Sequence, residues 1–168
     1  IVVLRNNGRG VIVRTACSTP VTKMGEPYFQ IKNKLKQHGI VAFSSNYALY
    51  GDMSQRVMSV IESLVPAVEV YSIDEAFADL AGVPGDLEAL GRRIRAQVYR
   101  STGIPVGVGI AATKTLSKLA NHSAKKWQAQ TGGVVDLRDQ IKRDWVLKKC
   151  SVSDVWGGGR KMTLHLEG

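Results

Sequence analysis

The chain lacks the residues that would make it a disulfide scaffold, a zinc-binding module or a membrane protein. Its 168 residues include two cysteines, Cys17 and Cys150, far apart and with no CxxC spacing. That excludes a disulfide framework and a cysteine-based metal knuckle, and it leaves two thiols expected to stay reduced in a cytoplasmic protein. The three histidines, His38, His122 and His165, form no ligand or triad spacing. No run approaches the ~20 apolar residues of a membrane span. The opening Ile1-Val2-Val3-Leu4 reads as an interior strand rather than a secretory leader, so the chain is expected to be truncated. Internal repeats and low-complexity tracts are absent. Acidic residues are few: 14 Asp and Glu stand against 23 Lys and Arg, giving a formal charge of +9 and a pI near 9.8. Such a balance suits a polyanionic partner, although a merely soluble basic protein shares it. With 44% hydrophobic and 22% charged residues the chain is globular rather than disordered, and its length fits one compact domain with or without pieces of its neighbours.

The first segment reads as a small β-rich unit. Strands are expected at Ile1 to Leu4 and Val11 to Val13, joined by the polar turn Arg5-Asn6-Asn7-Gly8-Arg9-Gly10. Gly25-Glu26-Pro27 opens a helix to about Gln37 with Gly39 as its terminator, and Ile40 to Phe43 returns as a strand. A helix follows from Tyr47 to Leu64, stopped by Pro66. Next come a hairpin over Val68 to Leu80 and a helix from Asp86 to about Arg100, with Leu87, Leu90, Ile94 and Val98 as its buried stripe. A strand at Val106 to Ile110, a helix from Thr113 to Lys126 and a strand at Gly133 to Leu137 complete the pattern. From Val68 to Leu137 the order is ββαβαβ, most of a split βαβ, ferredoxin-like mixed sheet with helices on one face. One further upstream strand would complete a palm-like arrangement. The expected fold class is therefore α+β.

Three features carry chemistry. Asp74 and Glu75 sit where one strand-like run ends and the next begins, so two hard carboxylates can reach one cation if the backbone turns there. Magnesium accepts a few such ligands and keeps waters or phosphate oxygens for the rest. Two ions ~3.5–4 Å apart can activate a hydroxyl and stabilise leaving pyrophosphate. An Asp-Glu pair by itself more often decorates a hairpin turn. Lys114, Lys118 and Lys125 recur at +4 and +7, opposite Leu116, Leu119 and Ala120, and form either a phosphate-holding stripe or an ordinary solvated face. Asp154-Val155-Trp156-Gly157-Gly158-Gly159-Arg160 is either a backbone-binding turn before a helix or a flexible linker.

Longer stretches narrow these choices. Tyr71-Ser72-Ile73-Asp74-Glu75-Ala76-Phe77, the run from Val106 to His122, Ala124-Lys125-Lys126-Trp127 leading to Thr131-Gly132-Gly133-Val134-Val135-Asp136-Leu137, and Ser44-Ser45-Asn46-Tyr47 with Tyr50-Gly51-Asp52-Met53-Ser54 together resemble the Y-family translesion DNA polymerases. Asn121-His122 and Lys126-Trp127 place the resemblance in the UmuC branch, the catalytic subunit type of the bacterial SOS polymerase, rather than the DinB branch.

The resemblance implies fingers over residues 1–46, palm over 47–149 and the start of a helix-hairpin-helix thumb over 150–168. It implies Asp74 and Glu75 as two of three magnesium-binding catalytic carboxylates and Lys125 as the contact to the incoming triphosphate. Lys114, Lys118, Gly157, Gly159 and Arg160 become DNA contacts. Partners would be primer–template DNA and deoxynucleoside triphosphates, with a UmuD-like subunit, RecA and the sliding clamp as candidates for the intact protein.

There are three departures from the family pattern. The strand bearing the third carboxylate and the aromatic that excludes ribonucleotides would lie before Ile1. Thr15-Ala16-Cys17-Ser18-Thr19-Pro20-Val21-Thr22 is a residue short, with Pro20 near the place of a basic triphosphate contact. The thumb turn is Gly-Gly-Gly, where an apolar middle residue is usual, and the rest of the thumb and the little finger would lie beyond Gly168. These 168 residues alone are therefore expected to be nearly inactive, as a fragment or decayed copy. The alternatives are a non-catalytic DNA-binding or subunit-binding remnant and, more remotely, a nucleotide cyclase on the same palm-like sheet.

Overall fold

The computed structural model describes residues 2–4, 12–15, 21–23, 25–158 and 160–167. The expected turn over residues 5–10 and the segment 16–20, with Cys17 and Pro20, lie outside them. By internal contacts the chain divides into two compact units, Ile1–Gly51 and Asp52–Gly168.

In the first unit, strands β1 (Val2–Leu4), β2 (Ile12–Thr15) and β3 (Ala42–Ser44) form a sheet in the order β2-β1-β3. β1 runs antiparallel to β2 and parallel to β3. A parallel neighbour requires a crossover, and helix α1 (Tyr28–Gln37) supplies it. Ile31 and Leu35, one helical turn apart, face the sheet and bury Val2 and Ile12. Gly39 ends the turn after the helix with φ 62°, the left-handed conformation expected of it.

The second unit holds the rest of helix α2 (Tyr47–Glu62), which the division crosses, and three cores around two strand pairs. Strands β4 (Ala67–Ser72) and β5 (Glu75–Asp79) form the expected hairpin. Helix α3 (Leu87–Thr102) starts at Asp86, whose carboxylate caps Glu88 N, and stops at Gly103 with φ 72°. Its stripe Leu87, Ile94 and Val98 is buried, with Leu90 half-buried beside them. Strands β6 (Val108–Ile110) and β7 (Val134–Asp136) pair in parallel, with helix α4 (Lys114–Lys126) and the single turn α5 (Gln128–Thr131) between them.

The α+β class and the ββαβαβ order match expectation, with two refinements. Among the described residues the strands form two separate ladders, β4-β5 and β6-β7, rather than one hydrogen-bonded sheet. Helices also occupy both faces of the β6-β7 pair. Val108, Ile110 and Val134 pack on Leu87 and Leu90 of α3, the expected helical layer. The alternate face of β6 has no side chain at Gly109, and α4 lies directly on it. A Cβ there would stand 2.2 Å from both Asn121 N and Ser117 O. Helix α6 (Gln140–Lys149) was not expected; Asp139 caps its Lys142 N at 2.8 Å, and Val146 packs with Leu119, Ala120 and Leu137. A 3-10 turn (Val152–Asp154) with a Ser151/Asp154 capping box then leads to helix α7 (Arg160–Glu167).

Candidate active site

The site is built from the hairpin, α4 and the turn after α6. Neither Ile73 nor Asp74, between the two hairpin strands, has positive φ. The link is therefore not one of the primed turns that match strand twist, and the ladder compensates with a register shift between Val70 and Ser72. Glu69 and Phe77 are cross-strand partners. Glu75, two residues from Phe77, shares their face, and the Tyr71 ring lies 5.7 Å from that of Phe77. Asp74 is exposed in the turn and accepts a hydrogen bond from Ser72 Oγ at 2.8 Å. The two adjacent carboxylates thus differ in setting: Glu75 is half-buried towards α4, and Asp74 faces water.

Helix α4 begins at Thr113, whose hydroxyl caps Leu116 N, and its first two lysines reach across to the hairpin. Lys114 Nζ lies 2.5 Å from Glu69 Oε2 and 5.1 Å from the Phe77 ring centre. Lys118 Nζ lies 2.8 Å from Glu75 Oε2 and over two rings, Tyr71 at 4.7 Å and Trp156 at 5.2 Å. Tyr71 and Trp156 meet edge to face with centroids 5.5 Å apart. The first ion pair is 50% and 61% exposed and open to screening; the second is 22% and 35% exposed and better protected from it. Lys125 is exposed and has no ion pair among the described residues.

A cleft of about 440 Å³ has Glu75, Lys118, His122, Lys125, Trp156 and Gly157 among its walls. Four predicted residues (Glu75, Lys118, Lys125 and Gly157) therefore converge there. Asp74 is not part of the wall, Lys114 is engaged with Glu69, and Gly159 and the Arg160 side chain lie outside the described residues. A Cβ at Gly158, the middle of the glycine run, would meet Val152 O at 2.5 Å, so this turn lies closer to the 3-10 turn than a side chain would permit.

His122, to which the sequence assigns no role, meets Asp154 of the glycine turn here. His122 Nε2 stands 3.7 Å from Asp154 Oδ1, and Lys126 Nζ lies 3.8 Å from Asp154 Oδ2. The side chain of Asn121, beside them in the cleft wall, buries its Oδ1 without a hydrogen-bond partner among the described residues. These contacts join residues about 30 apart in sequence, and nothing local announces them.

Among the described residues no group of three or more His, Cys, Asp or Glu is placed to hold a metal ion. The donor chemistry of Asp74 and Glu75 nevertheless suits magnesium, which binds through one or two carboxylates and completes its shell with water or phosphate oxygen.

A family model for impB/mucB/samB proteins matches residues 1–122. The chain belongs to the impB/mucB/samB family. Protein UmuC of Salmonella typhimurium is 54% identical to it over 172 residues, covering 99% of this chain and 40% of UmuC. Protein MucB of Escherichia coli is 45% identical over 164 residues, covering 96% of this chain and 39% of MucB. This impB/mucB/samB chain thus spans about two-fifths of the length of the curated relatives it matches. It shares its fold with part of Dbh DNA polymerase: an insertion ternary complex of Dbh DNA polymerase superposes with a TM-score of 0.79 at 20% identity, covering 98% of this chain and 49% of Dbh.

Proposed function

We propose that this chain is the palm and fingers portion of an error-prone translesion DNA polymerase of the SOS response, performing template-directed nucleotidyl transfer with magnesium in the whole protein. The observation that supports this most is the convergence of Glu75, Lys118 and Lys125 on one cleft beside the glycine turn, in a chain 54% identical to UmuC. We assign residues 1–46 to fingers, 47–149 to palm and 150–168 to the start of the thumb.

In the proposed reaction a primer 3′ hydroxyl attacks the α-phosphate of a deoxynucleoside triphosphate, the new O–P bond forms and pyrophosphate leaves. Asp74 and Glu75 would hold magnesium, which when bound supplies charge stabilisation at the phosphates. Lys125, exposed and without an ion pair among the described residues, neutralises the triphosphate, and as a compact ammonium it does so as a point charge. Lys114, Lys118, Gly157, Gly159 and Arg160 are the proposed contacts to DNA phosphates. A UmuD-like subunit, RecA and the sliding clamp are proposed partners of the whole protein on the resemblance alone.

The test is binding to a labelled primer–template with and without magnesium and the complementary nucleotide. The polymerase reading expects nucleotide and magnesium to tighten binding, with the gain lost in Asp74→Ala and in Lys125→Ala. With two carboxylates together among the described residues, primer extension by these 168 residues is expected to be barely detectable. Robust extension abolished by Asp74→Ala would overturn that expectation. Salt-sensitive DNA binding indifferent to chelator and to Asp74→Ala would instead favour the non-catalytic remnant.

A further inference from the structure

We propose that Lys118 is a resident cation that neutralises Glu75 in the metal-free site and competes with a divalent ion for it until a polyanion draws the lysine away. The proposal rests on the reading of Asp74 and Glu75 as magnesium ligands and adds a control on when the metal binds.

Three contacts hold the ammonium. Lys118 Nζ lies 2.8 Å from Glu75 Oε2, and the Tyr71 and Trp156 rings lie beneath it at 4.7 and 5.2 Å. Aromatic faces attract a cation, and more strongly when water is partly excluded. Lys114, one turn earlier, shows what an ordinary pair on this helix is like: it is twice as exposed as Lys118, and it rests on one ring instead of two.

The charge of Glu75 is therefore neutralised before any metal arrives. A divalent ion approaching Glu75 must either displace the ammonium or endure its repulsion at a few ångströms, where a unit charge in a partly desolvated setting acts strongly. Lys125 shares the cleft and has no carboxylate partner among the described residues, so it offers phosphates a first landing point. Phosphate bound there gives Lys118 a second anion to turn to, and Glu75 is released as it turns. Metal and triphosphate then bind with mutual reinforcement, because a coupling between two ligands is reciprocal.

The experiment is a Mn²⁺ titration of the chain, with the free ion counted by electron paramagnetic resonance. The titration is run on the parent chain and on Lys118→Met, Lys118→Gln, Lys118→Arg and Glu75→Gln. Methionine keeps the stem over Tyr71 and Trp156 and removes the charge; Lys118→Gln repeats the measurement if the methionine variant does not fold. The proposal expects the neutral variants to bind Mn²⁺ about tenfold tighter than the parent chain. Lys118→Arg should bind like the parent, and Glu75→Gln should bind more weakly.

A second readout is tryptophan emission on adding Mg²⁺ together with inorganic triphosphate. Release of the ammonium from Trp156 should change it in the parent chain and leave it unchanged in Trp156→Phe. Weaker binding in Glu75→Gln together with unchanged or weaker binding in both neutral variants would overturn the proposal; Lys118 would then be a residue that positions Glu75. Mn²⁺ affinity indifferent to Glu75→Gln would instead remove the metal reading beneath it.

Discussion

Asp136, at the end of β7, is buried and tied to a single neighbour. Its Oδ1 accepts from Arg138 N at 2.9 Å and Arg138 Nε at 3.0 Å, and its Oδ2 from Arg138 Nε at 2.9 Å and Nη2 at 2.6 Å. Burial by itself pushes the carboxyl pKa up. The side-chain and backbone hydrogen bonds from Arg138, with the charges of Arg138 and Lys142, outweigh burial and hold the pKa below its ordinary value. A carboxyl whose folded pKa is depressed contributes stability that is fully present above its unfolded value, about 3.9, and is lost as pH falls through the folded one. Asp136→Asn should therefore cost about 2 kcal/mol at pH 7, the range for hydrogen bonds to a charged group. In urea unfolding at a series of pH values, the gap between parent and variant should close as the pH drops below 4. A gap constant down to pH 3 would show that shape, and not charge, holds this corner.

At the scale of elements, the contact between α4 and β6 is the one on which the cleft depends, because Lys118, His122 and Lys125 all project from α4. Gly109→Ala places a methyl 2.2 Å from two backbone atoms of that helix, and neither can move alone. Overpacking of this kind should cost about 3 kcal/mol, read as a lower urea midpoint with an unchanged slope. Gly51→Ala is the contrasting case. Gly51 lies inside α2 with nothing within 4 Å of the added carbon, so helix propensity alone should stabilise it by about 0.5–1 kcal/mol. If both variants lost stability equally, close approach would not be what distinguishes Gly109.

Most of these elements were legible because their signals are local. The α3 stripe repeats at helical spacing, Asp86 and Thr113 stand at helix starts, and the Val68–Leu80 alternation breaks at Asp74. Helix α6 was missed because only Val146 of its apolar residues is buried, so no stripe stands out; the Asp139 cap was its one clear mark. Gly107 and Gly109, just before and within β6, were visible, but not that a bare strand face would bring α4 across it. Pairing of Lys118 with Glu75, 43 residues apart, depends on tertiary placement and leaves no trace in a single sequence.

Across the whole molecule, a formal charge of +9 predicts salt-sensitive binding to DNA but says nothing about which cations are available for it. The ion pairs decide that. Lys114 is satisfied by Glu69, Lys118 by Glu75, and Lys126 stands 3.8 Å from Asp154, whereas Lys125 has no ion pair among the described residues. The counterions released are those condensed on the DNA, and a lysine that must first leave a carboxylate neutralises a phosphate less readily. Each phosphate newly neutralised contributes about 0.9 to the slope of log affinity against log salt. With no nucleotide present Lys125 is open to a DNA phosphate, so Lys125→Ala should flatten the slope for primer–template binding by about 0.9, and Lys114→Met should flatten it less, because Lys114 must first leave Glu69. Fluorescence anisotropy at five or six salt concentrations, without metal, measures both slopes. Equal flattening by the two substitutions would mean that DNA pulls Lys114 off Glu69 as readily as it engages Lys125, and binding would then follow net charge rather than the arrangement of pairs around the cleft.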